Sequence, residues 1–236
     1  MNNLLKTNIK LMLCRKSTKL SAVFAVFMAL LVAFTNNSSD ELTWYTMFSG
    51  PVTLVMVLSA VGGLFLSRDY SNKTIRNKLT VGHKRTYTYL ANQITEILFF
   101  CIPIILYFVT SSVLNYILIG TNGTVMSDIF RNIAVCIIAV IALSALTTFI
   151  AMTVKSSAGG ILPIVLMYPL LMLSVMIDEF PEIKWLQTVG DMIPLSQIAM
   201  LLMPDKNAAL HIMYSLIVTA FFMIVGIASF RKADLK

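Results

Sequence analysis

Six long apolar runs separated by short polar gaps constrain this chain more than any other feature. They extend roughly from Leu20 to Thr35, Phe48 to Ser67, Leu90 to Ile119, Ile133 to Val154, Gly159 to Ile177 and Leu210 to Phe230. A helix needs about 20 apolar residues to cross about 30 Å of hydrocarbon. Inside lipid each segment must satisfy its own backbone polar groups, which leaves helices or a closed barrel. The runs lack the alternation of a barrel. The fold class read from them is an all-α membrane protein with six transmembrane helices. The first run is short and must recruit flanking residues or sit in a thinned patch of bilayer. The third is long and carries Pro103 near its middle, which predicts tilt or a kink.

Charge then sets the topology. Of 236 residues, 58% are hydrophobic and only 12% charged, with a mean hydropathy of +0.83 and a net charge of +7. A soluble chain carries about twice that charged fraction. The excess of positive charge forms no single face and falls between the apolar runs, which argues against a nucleic-acid partner. With six spans, one side of the membrane receives Lys6, Lys10, Arg15, Lys16, Lys19, Arg68, Lys73, Arg76, Lys78, Lys84, Arg85, Lys155, Arg231, Lys232 and Lys236. The other receives Arg131, Lys184 and Lys206, together with Asp40, Glu41, Asp128, Asp178, Glu179, Glu182, Asp191 and Asp205. The positive-inside rule puts both termini in the cytoplasm of a multi-pass plasma-membrane protein. The first run ends "LLVAFTNN", with no small-x-small cleavage site, so it reads as an uncleaved span within a single domain of residues 1–236.

Catalytic chemistry has little to stand on. No G-x-x-x-x-G-K-[ST], GxSxG, HExxH or CxxC pattern occurs, so no enzyme and no cofactor of the chain's own is expected. His83 and His211 fall on opposite sides of the membrane, and Cys14, Cys101 and Cys136 match no metal spacing. Glu96, in the third span after Asn92 and Gln93, is the one carboxylate at membrane depth and the candidate gate or polar-pathway residue, with Arg85 as a conceivable partner. Ser144, Thr147, Thr148, Ser111, Ser112 and Asn115 read as helix-to-helix hydrogen-bonding groups.

Three segments outside the spans carry pattern. Near the N-terminus, Leu5, Ile9, Met12 and Leu13 share one face and Lys6 and Lys10 another, which predicts an interfacial amphipathic helix. Between spans two and three, "SRDYSNKTIRNKLTVGHKRTYTYLANQ" holds six Lys and Arg residues against Asp69 alone. Ser71 reads as an N-cap, Thr74 to Val81 as a short helix with Ile75 and Leu79 on one face, and Gly82 as its stop. Between spans five and six, residues 178–209 are too polar to span and too apolar for a solvated linker. One or two short external helices are expected there, broken at Pro181, Pro194 and Pro204.

With these residues in place, the chain resembles a type-2 ABC-exporter permease. The resemblance rests on six spans, an interfacial N-terminal helix, the stretch "RDYSNKTIRNKLTVGHKR" and the ending "FRKADLK". It implies that Asp69, Lys73, Thr74, Ile75, Arg76, Asn77, Lys78, Leu79, Gly82 and Arg85 form a coupling helix and its flanks, docking in a cleft of a separate P-loop ABC ATPase. Lys73 stands where glycine is frequent in the family. Ile75 and Leu79 would then fill the apolar cleft, and Arg76 and Lys78 would meet acids. The resemblance further implies a second permease chain, identical or different, ATP and Mg on the ATPase, and export of a peptide or lipid-like amphiphile, as in lantibiotic immunity exporters. The alternative is a non-transporting scaffold or sensor whose basic loop binds a partner or anionic lipid. An ion-coupled carrier is disfavoured, because no charged relay crosses the spans.

Overall fold

The computed structural model describes residues 2–36, 44–72, 74–120, 126–156, 158–180, 182–202 and 207–232. Lys73, Asp40, Glu41, Asp205, Lys206, Lys236, Pro181 and Pro204 lie outside the described residues. In chain order the helices are α1 Asn2–Cys14, α2 Lys16–Asn36, α3 Gly50–Ser71, α4 Thr74–Thr80, α5 Arg85–Ile119, α6 Met126–Val154, α7 Ala158–Asp178, α8 Lys184–Met192, α9 Pro194–Ala199 and α10 Ala208–Lys232. Short 3-10 turns at Trp44–Phe48 and Met200–Leu202 complete the described elements.

Helices α2, α3, α5, α6, α7 and α10 are long and apolar enough to cross a membrane, so the six-span expectation holds. The first run gains its length from Lys16 to Lys19, which are helical ahead of the apolar residues. Helix α5 has 35 residues, about 52 Å at 1.5 Å per residue, so it either tilts or projects past a core of about 30 Å. Pro103 sits inside it and cannot donate to the Phe99 carbonyl.

The bundle is organised around α6, the most enclosed of the spans, with α10 and α5 packed along it. Small side chains make this possible: Ala139, Ala142, Ser144, Ala145 and Ala151 are all buried. Lipid is as apolar as leucine, so helices associate through close packing rather than through a hydrophobic difference. The same principle appears where α3 meets α7. A Cβ on Gly63 would stand 2.6 Å from the Gly160 carbonyl oxygen, so backbone contact there requires glycine on both helices. Of the predicted helix-to-helix hydroxyls, Ser144 receives a bond from Gln93 Nε2 at 3.4 Å. Thr147 and Thr148 instead donate back to the Leu143 and Ser144 carbonyls of their own helix, because a hydroxyl one turn on always has that acceptor within reach.

The described residues between α7 and α10 are structured, as their apolar content predicted. Helix α8 is largely exposed, with Trp185 70% accessible, whereas Leu195, Ser196, Gln197 and Ile198 of α9 are buried. Gln197 ties α9 down, donating to the Asp191 carbonyl at 2.7 Å and accepting from Ser215 of α10 at 2.6 Å.

Candidate functional site: the short helix between spans two and three

Helix α4 closes as a chain of its length must. The His83 N–H reaches the Lys78 carbonyl at 3.3 Å and the Gly82 N–H the Leu79 carbonyl at 3.0 Å. These nested bonds are a Schellman closure, which demands a left-handed residue next to the end. Gly82 supplies it at φ +96°. The expected stop is therefore real. The expected N-cap is not: Ser71 is the last residue of α3 and its hydroxyl donates to Ser67. Helix α3 outruns its apolar stretch because Tyr70 anchors the extra turn, donating to the Met152 carbonyl at 2.7 Å.

The apolar face of α4 is already covered by this chain. Ile75 is 1% exposed and packs in a cluster with Tyr89, Met152 and Phe230, joined by Tyr70, Leu79 and Ile227. The helical wheel separated Ile75 and Leu79 from Arg76 and Asn77 correctly, but the surface that covers them comes from α3, α5, α6 and α10. Withdrawing Ile75 to fill a partner's cleft would expose it at a cost of about 2 kcal/mol. Ile75 and Leu79 thus pack against this chain's own helices rather than forming an open apolar face.

Lys78 is turned inward too. Its Nζ lies 2.8 Å from Asp69 Oδ2 and 3.1 Å from Asn8 Oδ1, with both charged side chains about nine-tenths enclosed. Asn8 Nδ2 donates to Asn92 Oδ1 at 2.8 Å, and Asn92 Nδ2 lies 3.6 Å from Met152 Sδ. A polar relay thus runs from α4 through α3 and α1 to α5 and α6. The resemblance implies that Lys78 meets acids of a partner; the fold brings to it a carboxylate and an amide of this chain.

Asn8 and its role were missed at the level of sequence. The buried stripe of α1 is Leu4, Asn8 and Met12, with Leu11 and Leu13 about half exposed, so the face is rotated from the Leu5, Ile9, Met12, Leu13 stripe. An asparagine at the (i, i+4) position between Leu4 and Met12 was the available signal. Beside the relay, Arg15 stacks its guanidinium 4.2 Å from the Phe65 ring centroid. Burial pushes its pKa down from the ordinary arginine value, with Asp69 opposing the fall and Arg68 adding to it.

What α4 leaves outward is Arg76, Asn77, Thr80, Val81 and Gly82, all exposed, with Thr74 half-buried at its start. Val81 is 80% accessible, an apolar tip that sequence reasoning did not single out. Arg85 does not join this surface in the direction of Glu96. Its Nη1 donates to the Arg231 carbonyl at 2.9 Å and approaches that of Phe230 at 3.5 Å, a cation on the C-terminal turn of α10.

Glu96 lies elsewhere, fully buried against Gly62 and Phe100, where α5 meets α3. Neither carboxyl oxygen has a hydrogen-bond partner among the described residues. A methyl on Gly62 would collide with Oε1, so the glycine is what makes room for this side chain.

A family model for the ABC-2 type transporter membrane domain matches residues 2–204. The chain belongs to the ABC-2 type transporter family. The match begins with α1 and takes in α4, the relay, α8 and α9. This ABC-2 permease is a multi-pass membrane subunit of an ABC-type transporter, not a catalytic one, and such domains typically work with an ATP-binding subunit. No significant match to a curated protein accompanies it.

Proposed function

We propose that this permease is driven by a separate P-loop ABC ATPase docking on the outward face of α4, and that it exports a peptide or lipid-like amphiphile. The observation that carries the reading is the division of α4 into two faces. Arg76, Asn77, Thr80 and Val81 face outward for a partner, while Ile75 and Lys78 grip five other helices. A push on the outer face is then delivered to α1, α3, α5, α6 and α10 together. Val81 fills the apolar part of the ATPase cleft and Arg76 pairs with an acid at its edge; Asp69, Lys78, Leu79, Ile75 and Arg85 transmit. ATP and Mg belong to the ATPase.

The remaining arrangement follows from the same reading. Two permease chains and two ATPases form the working unit, and both termini lie in the cytoplasm, as the distribution of lysine and arginine supports. An amphiphilic cargo suits a bundle without a charged relay across its spans, and an antimicrobial peptide of the lantibiotic type is one such cargo. Glu96 borders the α3–α5 contact, where a polar pathway would open if those helices part.

The test is co-purification. The tagged chain is expected to bring down a P-loop ATPase from its native membrane, and Val81→Asp with Arg76→Glu is expected to lose it while the chain inserts normally. Retention of the ATPase by that double variant would overturn the docking face. Cysteine labelling from outside should reach position 185 and not position 76; labelling at 76 would reverse the topology.

A further inference from the structure

A groove of about 380 Å³ runs between α2 and α3 and presents only apolar surface. Leu20, Val23, Phe24 and Phe27 form one wall, Val57 and Val61 the other, and Ser17 lies at the mouth. From Ser17 to Phe27 is about 15 Å of helix at 1.5 Å per residue. That is half of a hydrocarbon core of about 30 Å. The groove has the depth of one leaflet.

Its mouth is positively charged. Lys16 and Lys19 are exposed, one turn before the lining residues Leu20 and Val23 respectively. Arg68 is exposed near the end of α3, and Arg15, just before α2, lies over Phe65 of α3. The acid of this corner, Asp69, is held by Lys78. Lys16, Lys19 and Arg68 make no ion pair with a carboxylate among the described residues. A second apolar groove of about 400 Å³, between α5 and α6, offers a contrast. Its neighbouring cation, Arg131, is already paired with Asp128 at 3.1 Å.

We propose that the α2–α3 groove is a binding site for one anionic phospholipid, an acyl chain lying along Phe24 and Phe27 and the phosphate on Lys16 and Lys19. A second copy of the chain fits less well. Copies inserted in the same direction would set two pairs of lysines at one depth, and like charges repel. The site rests on the topology above only for which leaflet it serves; binding itself requires neither the ATPase nor transport.

The experiment uses the full chain in nanodiscs, with Val57→Trp as a reporter read against the unsubstituted chain. Brominated phosphatidylglycerol is expected to quench the reporter in preference to brominated phosphatidylcholine. At about fivefold per lysine near a headgroup, the preference is roughly 25-fold. It should collapse in Lys16→Gln/Lys19→Gln and survive in Lys16→Arg/Lys19→Arg, which shows that the variants still fold. Val109→Trp in the other groove should show no preference. Equal quenching by the two lipids overturns the proposal, and so does a preference that persists without the lysines. So does an unquenched reporter accompanied by a disulfide between Val23→Cys residues of two copies, which assigns the groove to a second chain.

Discussion

Replacing Lys78 separates the inward relay from an outward, partner-facing role. In Lys78→Met the stem is kept and the ammonium lost, which leaves Asp69 Oδ2 and Asn8 Oδ1 without the contacts they make at 2.8 and 3.1 Å. Hydrogen bonds to a charged group contribute about 1.5–3 kcal/mol each. Breaking a fully buried pair costs about 3–5 kcal/mol. Both side chains retain about a tenth of their exposure, so water recovers part of this and a net loss of about 2–3 kcal/mol is expected. Asp69→Asn should cost a similar amount, and the double variant less than the sum, with a coupling energy of about 1–2 kcal/mol. Reversible unfolding in mixed micelles measures the stability cycle, and hydrolysis by the assembled transporter measures the functional one. Lys78→Met should still bind its ATPase but lose substrate-stimulated hydrolysis, because α4 would move without carrying α1 and α5. Additive stabilities, within about 0.5 kcal/mol, would refute the relay. So would a variant of normal stability that fails to bind the ATPase, since Lys78 would then face outward.

Three further outcomes follow from the same structure. Gly82→Ala meets no neighbour within 4 Å but must adopt φ +96°, so it should cost about 1–2 kcal/mol and accelerate hydrogen exchange over residues 74–82 without impairing insertion. Gln197→Leu removes the bonds that Gln197 makes with the Ser215 hydroxyl and the Asp191 carbonyl; a loss of about 1–3 kcal/mol is expected, seen as faster proteolysis between α8 and α10. Glu96→Met removes two buried oxygens that have no partner among the described residues and should leave the thermal midpoint unchanged or raised. A marked fall would reveal a partner for that carboxyl.

The sequence alone determined that six spans form and that α4 stops at Gly82, because those decisions are local, whereas the extra turn of α3 rests on the Tyr70 bond to Met152. Lipid accepts only a continuous apolar stretch with its hydrogen bonds closed internally, so six runs became six spans, although the fourth begins at Met126 rather than near Ile133 and the third at Arg85 rather than near Leu90. Gly82 had to end α4, since the Schellman closure admits few other residues at that φ. Helices α8 and α9 were legible for the same reason: residues 178–209 are too apolar to stay loose. Which side of each helix faces protein was not legible. A leucine against lipid and a leucine against another helix look alike in hydropathy, so the buried stripe of α1 was misread and the enclosed position of α6 was not foreseen. Polar residues were misjudged for a related reason. Lys78 on a short helix predicts a solvated charge until Asp69, nine residues away, and Asn8, seventy residues away, are brought to its Nζ. Ile75 predicts a docking surface until Tyr89, Met152 and Phe230 cover it. Periodicity reports that a face needs covering, and only tertiary packing decides whether the cover is a partner, the bilayer or the chain itself.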